Sequence, residues 1–173
     1  MDAHLTPTTD TQRRSRASVL VVDDNPAAKY AIARTLRAAG FQTVEASGGA
    51  EALELSEFVS AVVIDVNLPD VNGIEVCKML RARRSTAHLP IIHVSAASLT
   101  PDIAAYAAAA GSDLFMEAPV DGEVLTQTLD QLFAAQARRN AQSVSNVDPG
   151  DRSGSGAQSV LDQMTRREKI PRG

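Results

Sequence analysis

The sequence has no tryptophan, a single cysteine (Cys77) and only 3% aromatic residues. So few rings exclude a core built on aromatic packing. The 44% apolar content must fill the interior with aliphatic side chains and alanine. One cysteine excludes an internal disulfide and fits a reducing compartment. No apolar stretch approaches the ~18 residues a membrane span needs. The N-terminus carries Arg13, Arg14 and Arg16 with no apolar segment after them, so a signal peptide is not expected and a cytoplasmic location is. A net charge of −4 lacks the concentrated basic face of a general nucleic-acid binder. Lysine is also scarce, at Lys29, Lys78 and Lys169 alone.

The 173 residues suit one domain with tails. Residues 1–17 are Thr-, Asp- and Arg-rich without periodicity and read as a disordered arm. Residues 18–136 hold the domain. Residues 137–173 read as a flexible polar tail or truncated linker, with "DPGDRSGSGAQS" at its centre. The closing "VLDQMTRREKI" is compatible with a short helix or with the start of a further domain.

Between the tails, apolar runs alternate with helical periodicity. "SVLVVD" is continuous enough for a strand covered on both faces. Pro26 opens a helix with Ala28, Ile32, Leu36 and Ala39 on its apolar side, and Gly40 stops it. "FQTVEA" is a second strand, and Gly48 to Phe58 a second helix. "AVVID" is the third strand, Ile74 to Arg84 the third helix, and "LPIIHVSA" the fourth strand. An Ala-rich helix over Thr100 to Ala110, the strand "DLFMEA" and a helix over Asp121 to Ala135 complete the pattern. Five βα units predict an α/β, doubly wound, five-stranded parallel sheet with helices on both faces. The expected strand order is 2-1-3-4-5, with a ligand site at the carboxyl ends near the switch point.

At those ends stand Asp23 and Asp24 after the first strand, Asp65 after the third with Asn67 beyond it, Ser95 after the fourth, and Glu117-Ala118-Pro119 after the fifth. If the first and third strands are neighbours, three carboxylates converge and repel. A hard divalent cation, Mg²⁺, relieves that repulsion and needs only one or two carboxylates beside its waters. A carboxylate beside such a metal is competent as a nucleophile toward a phosphoryl group. The plainer alternative is that these acids are solvated strand-end caps.

"VLVVDDNP", "VVIDVNLPDVNG", "PIIHVSA" and "GSDLFMEAP" together resemble the receiver domain of bacterial two-component response regulators, over Ser18 to about Ala135. The resemblance implies a CheY-like fold and a phosphoprotein in a phosphorelay. Asp65 falls at the phospho-acceptor position, Asp24 at the direct Mg²⁺ ligand, and Asp23 at the acid that holds the metal through water. Asn67 matches the residue whose backbone carbonyl completes the metal site. Ser95 matches the hydroxyl residue that follows the phosphoryl group, and Phe115 the aromatic switch position. Pro69 and Gly73 match the turn after the acceptor, and Pro119 the proline after the family's lysine. That lysine is replaced by Ala118. An ammonium there makes a charge-assisted bond worth ~1.5–3 kcal/mol in typical cases. Its loss predicts a chain still phosphorylated on Asp65 but with weakened or rewired coupling to the far face.

His93 shares strand parity with Ser95 and reads either as a hydrogen-bonded, half-buried strand histidine or as a substitute cation and pH sensor. Cys77 reads as core, Phe115 as packing or switch, and the Arg81, Arg83, Arg84 cluster as a solvated helix end or a partner contact. The expected function is a non-enzymatic receiver that takes a phosphoryl group from a histidine kinase or phosphotransfer protein and signals by binding a protein partner. Two alternatives are a phosphorylation-independent interaction module and the receiver piece of a hybrid histidine kinase. An Asp-dependent phosphatase is disfavoured, because Asn67 stands where such enzymes carry an acid.

Overall fold

A computed structural model describes residues 9–96 and 100–145. The strands are β1 (Ser18–Val22), β2 (Gln42–Ala46), β3 (Ala61–Asp65), β4 (Ile91–Ser95) and β5 (Leu114–Glu117). The helices are α1 (Thr9–Arg16), α2 (Pro26–Ala38), α3 (Gly49–Leu55), α4 (Gly73–Ala82), α5 (Pro101–Ala109) and α6 (Gly122–Ser145). The strands form one sheet in the order β2-β1-β3-β4-β5, and every pairing is parallel. The predicted architecture and strand order are those observed.

Side-chain alternation along the strands divides the core in two. Leu20, Val22, Val62, Ile64 and Ile91 face Val76, Cys77 and Leu80 of α4 and Ala107 of α5. Val19, Val21, Val63, Ile92 and Val94 face Ala33 and Leu36 of α2 and Leu125, Leu129 and Phe133 of α6. The central strands are buried on both faces, which is why they read as unbroken apolar runs. On α2 the deepest residues are Ala33 and Leu36, with Ile32 and Ala39 only partly buried. Gly40 ends this helix segment at φ +97°, a left-handed conformation that costs glycine little.

Three boundaries differ from expectation. The second predicted helix stops at Leu55 and tightens to a 3₁₀ turn over Ser56–Phe58. The last helix runs past Ala135 to Ser145, so the residues expected to open the polar tail are helical. The compact unit extends to Gln136, and the described residues from Ala137 onward continue α6. The "DPGDRSGSGAQS" and "VLDQMTRREKI" segments lie outside the described residues.

The third difference is α1, where a disordered arm is expected. Arg14 Nε donates to both carboxylate oxygens of Asp130 at 3.2 and 3.1 Å, and its Nη2 pairs with the same group. Nη1 donates to the Ala39 carbonyl at 3.2 Å, and the guanidinium lies 5.5 Å from the Phe41 ring centroid. A helix of eight residues is marginal alone; here a partner 116 residues away holds it. Arg14→Ala is expected to cost about 1–3 kcal/mol and to speed amide exchange in α1. Unchanged exchange across residues 9–16 would show that α1 does not depend on this contact.

Candidate functional site

β1 and β3 are adjacent, with Val22 opposite Ile64, so both strands end at one level. One oxygen from each of Asp23, Asp24 and Asp65 lies within 4.8 Å of the others. Asp23 is buried, Asp65 half-buried and Asp24 exposed. Asp23 Oδ1 accepts from the Asn25 N–H at 2.8 Å. The Asn25 side chain in turn accepts from Ala27 N–H at 2.9 Å and Ala28 N–H at 3.2 Å, capping α2 and fixing the turn.

These acids open into a cavity of about 630 Å³. Asp23, Asp24, Asp65, Asn67 and Ala118 all line it, and its inner wall is largely apolar, with Ile32, Val94, Val120 and Leu125. No lysine, arginine or histidine is among the lining residues. Neither lysine among the described residues fills the gap at Ala118. Lys29 Nζ donates to Ser47 Oγ at 2.5 Å and to the Ala46 carbonyl at 3.5 Å, while Lys78 donates to Glu75 at 2.8 Å and to Tyr106 at 2.6 Å. Lys169 lies outside the described residues.

Burial pushes the Asp65 carboxyl above its ordinary value. The Asn67 and Val66 N–H groups counter this, and the charges of Asp23 and Asp24 reinforce it. Burial also raises Asp23, opposed by the Asn25 N–H and by Lys29. Each group therefore binds its proton more tightly folded than unfolded. Their unfavourable contribution is absent below the ordinary value of 3.8 and appears as pH rises through the raised folded values. Asp65→Asn is expected to raise the melting temperature of the metal-free protein near neutral pH, and to leave it unchanged below pH ~3. A lower melting temperature at neutral pH would contradict this. The donor set is hard, oxygen-only and partly exposed, which suits Mg²⁺.

Ser95 and Phe115 are not among the residues that line the cavity. Val94, not Ser95, pairs with Asp65 across the sheet and lines the cavity. Ser95 is buried, and its carbonyl accepts from the Ala118 N–H at 2.8 Å. Phe115 is half-buried against the core on the α3, α4 and α5 side. His93 is wholly buried rather than half-buried, and it hydrogen-bonds Gly73 and Ser112 outside the cavity. Its reading as a substitute cation for the acidic site is therefore corrected.

One residue escapes sequence reasoning. Asp70, in the loop after β3, accepts from Gly49 N–H at 2.8 Å and Ala50 N–H at 2.9 Å, tying that loop to the start of α3. The N–H groups of Ala50 and Gly49 lower its pKa to about 2. This tether is intact above the ordinary value of 3.8 and is lost as pH falls toward about 2. Its partners lie about 20 residues back and carry no side-chain signal.

The response regulator receiver domain family matches residues 19–130. The chain is 34% identical over 108 residues to a cyclic di-GMP phosphodiesterase of Thermotoga maritima, a match covering 62% of this chain and 28% of that protein. It is 32% identical over 87 residues to the polar-differentiation response regulator DivK of Brucella ovis, covering 49% of this chain and 71% of DivK. Among solved structures, chemotaxis protein CheY4 of Vibrio cholerae superposes with a TM-score of 0.63 at 28% identity, over 67% of this chain and 98% of that one. The receiver domain of a sensor histidine kinase from Pseudomonas aeruginosa, described with magnesium coordinated in its active site cleft, has a TM-score of 0.63 at 25% identity, over 68% of this chain and 98% of that one. Among the described residues no helix is long and apolar enough to cross a membrane. With its strand order, its acidic cluster and the match over residues 19–130, the chain belongs to the response regulator receiver family.

Proposed function

We propose that this receiver accepts a phosphoryl group on Asp65 from the phosphohistidine of a histidine kinase or phosphotransfer protein, and signals through a protein partner. The convergence of Asp23, Asp24 and Asp65 at the ends of β1 and β3 carries this reading. Asp24, Asp65 and the backbone carbonyl of Asn67 would hold Mg²⁺, with Asp23 acting through water. When bound, Mg²⁺ neutralises the acids and the incoming phosphoryl oxygens. A carboxylate oxygen of Asp65 attacks phosphorus, the P–N bond to the donor imidazole breaks, and its electron pair stays on the imidazole. Ser95 would follow the phosphoryl group and Phe115 would report it to the far face.

Ala118 makes the switch atypical, since among the described residues no basic side chain lines the cavity beside Asp65. The same observation favours a second reading, an interaction module whose partner is indifferent to phosphorylation. Either function suits a stand-alone receiver or one within a hybrid kinase. Incubation with Mg²⁺ and a small acyl phosphate tests the first reading. The expected product is a base-labile acyl phosphate, absent without metal and absent in Asp65→Asn. No incorporation into the wild-type chain from any donor, with partner binding unchanged, would favour the second.

A further inference from the structure

His93 on β4 is 0% exposed, a rare state for a histidine. It sits opposite Ile64 of β3 on one side and Phe115 of β5 on the other. Nε2 lies 3.1 Å from the Gly73 carbonyl oxygen and Nδ1 lies 2.8 Å from Ser112 Oγ. A carbonyl only accepts, so in the neutral ring Nε2 carries the proton and Nδ1 is an acceptor, for which the single Ser112 hydroxyl proton is shared with the Leu114 carbonyl 3.0 Å away. Burial holds the ring below its ordinary pKa and so neutral. The ring also stacks on Phe115, with centroids 6.3 Å apart and planes 19° from parallel.

Gly73 is in turn pressed against the backbone of Asp65. Its N–H donates to the Val66 carbonyl at 2.8 Å, and a Cβ there would lie 2.1 Å from the Asp65 carbonyl oxygen. A shift of the backbone at Asp65 and Val66 must therefore displace Gly73. Gly73 cannot move without stretching its bond to His93, and His93 is locked by Ser112 and packed on Phe115. The contacts form an unbroken path from the acidic site to β5 that bypasses Ala118.

We propose that His93 is the positioning residue that couples the Asp65 loop to Phe115 and Ser112. This rests on Asp65 being the phosphoryl acceptor. It places the link to the far face through the core behind the sheet, and assigns His93 a role in the rewired switch that Ala118 implies.

The test is nuclear magnetic resonance of the full chain with Mg²⁺, titrated with beryllofluoride as the phosphoryl mimic. In the wild type, shifts are expected at Asn67 and Gly73 and also at Ser112 and the Phe115 ring. His93→Phe keeps an aromatic stack and removes both hydrogen bonds. It is expected to retain the Asn67 shift and to reduce the Ser112 and Phe115 shifts about fivefold or more. His93→Gln can donate to the Gly73 carbonyl and accept from Ser112, but it has no ring. It is expected to restore the Ser112 response and not that of Phe115, a split that loss of general packing would not produce.

Wild-type shifts at both Ser112 and Phe115 in His93→Phe would overturn the coupling and leave the Asp65 reading standing. If that variant does not fold, a wild-type Phe115 response in His93→Gln would overturn it. Absence of any response at Asn67 in the wild type would instead sink the Asp65 reading. Amide exchange without the mimic then decides the contact path. His93→Phe is expected to speed exchange at Gly73 and Ser112 together, by about fivefold or more, and unchanged exchange would overturn the path.

Discussion

Gly73→Ala is expected to lower the melting temperature by about 10 °C or more and to abolish phosphoryl acceptance. The added methyl group would sit 2.1 Å from the Asp65 carbonyl oxygen, 3.0 Å from the Asp65 carbonyl carbon and 3.2 Å from Val66 Cα. All three are backbone atoms, so no side chain can rotate away. Relief requires β3 or the start of α4 to move. β3 is held on one side by β1 and on the other by β4. Moving α4 breaks the bond from Gly73 N–H to the Val66 carbonyl at 2.8 Å and disturbs the Asn72 cap on Ile74 N–H at 2.9 Å. Overpacking against a fixed backbone costs about 1–3 kcal/mol or more. Thermal melts read the stability, and labelling from an acyl phosphate reads the site. A melting temperature within about 2 °C of wild type would mean that the β3–α4 connection is far softer than its packing implies.

Ala118→Lys is expected to tighten binding of the phosphoryl mimic about 10-fold to 100-fold, the equivalent of one charge-assisted hydrogen bond. Ala118 lines the same cavity as Asp65, and no basic residue among the lining ones competes for that space. The cavity has room for the stem of a lysine, and Ile32, Val94 and Leu125 offer an apolar wall for it. An ammonium near the acids opposes the effect of burial on Asp65 and Asp23, so both carboxyls move back down toward their ordinary values. The sign follows. The penalty that wild-type protein carries at neutral pH shrinks, and the melting temperature of the metal-free variant rises there. Titration with beryllofluoride and Mg²⁺ reads the affinity. Equal affinity in Ala118→Lys and wild type would show that the Ala118 position does not reach the phosphoryl group.

How far these features were legible depends on the distance over which they are determined. The parallel sheet was readable because "SVLVVD" and "AVVID" are buried on both faces, and such runs have few other uses. The grouping of Asp23, Asp24 and Asp65 followed once β1 and β3 were taken as neighbours, as they are. Strand parity put His93 and Ser95 on one side of β4 but could not say which side faced the acids. Register shows that Val94 stands opposite Asp65 and that Ser95 follows it at the end of β4. Helix α1 was missed because the Arg14–Asp130 contact, not local periodicity, holds it. Asp70 was missed because its partners are the backbone N–H groups of Gly49 and Ala50, which leave no trace in side-chain spacing. The hydrogen-bond partners of His93 are not legible because neither Gly73 nor Ser112 is near it in sequence.

The most direct measurement is the location of the phosphoryl group after incubation with Mg²⁺ and an acyl phosphate. Peptide mapping by mass spectrometry under acidic conditions preserves the acyl phosphate long enough to be read. One added phosphoryl mass is expected on the peptide that carries Asp65, released by hydroxylamine and missing when Mg²⁺ is chelated. A modified peptide that excludes Asp65, or the same mass on Asp65→Asn, would contradict Asp65 as the acceptor.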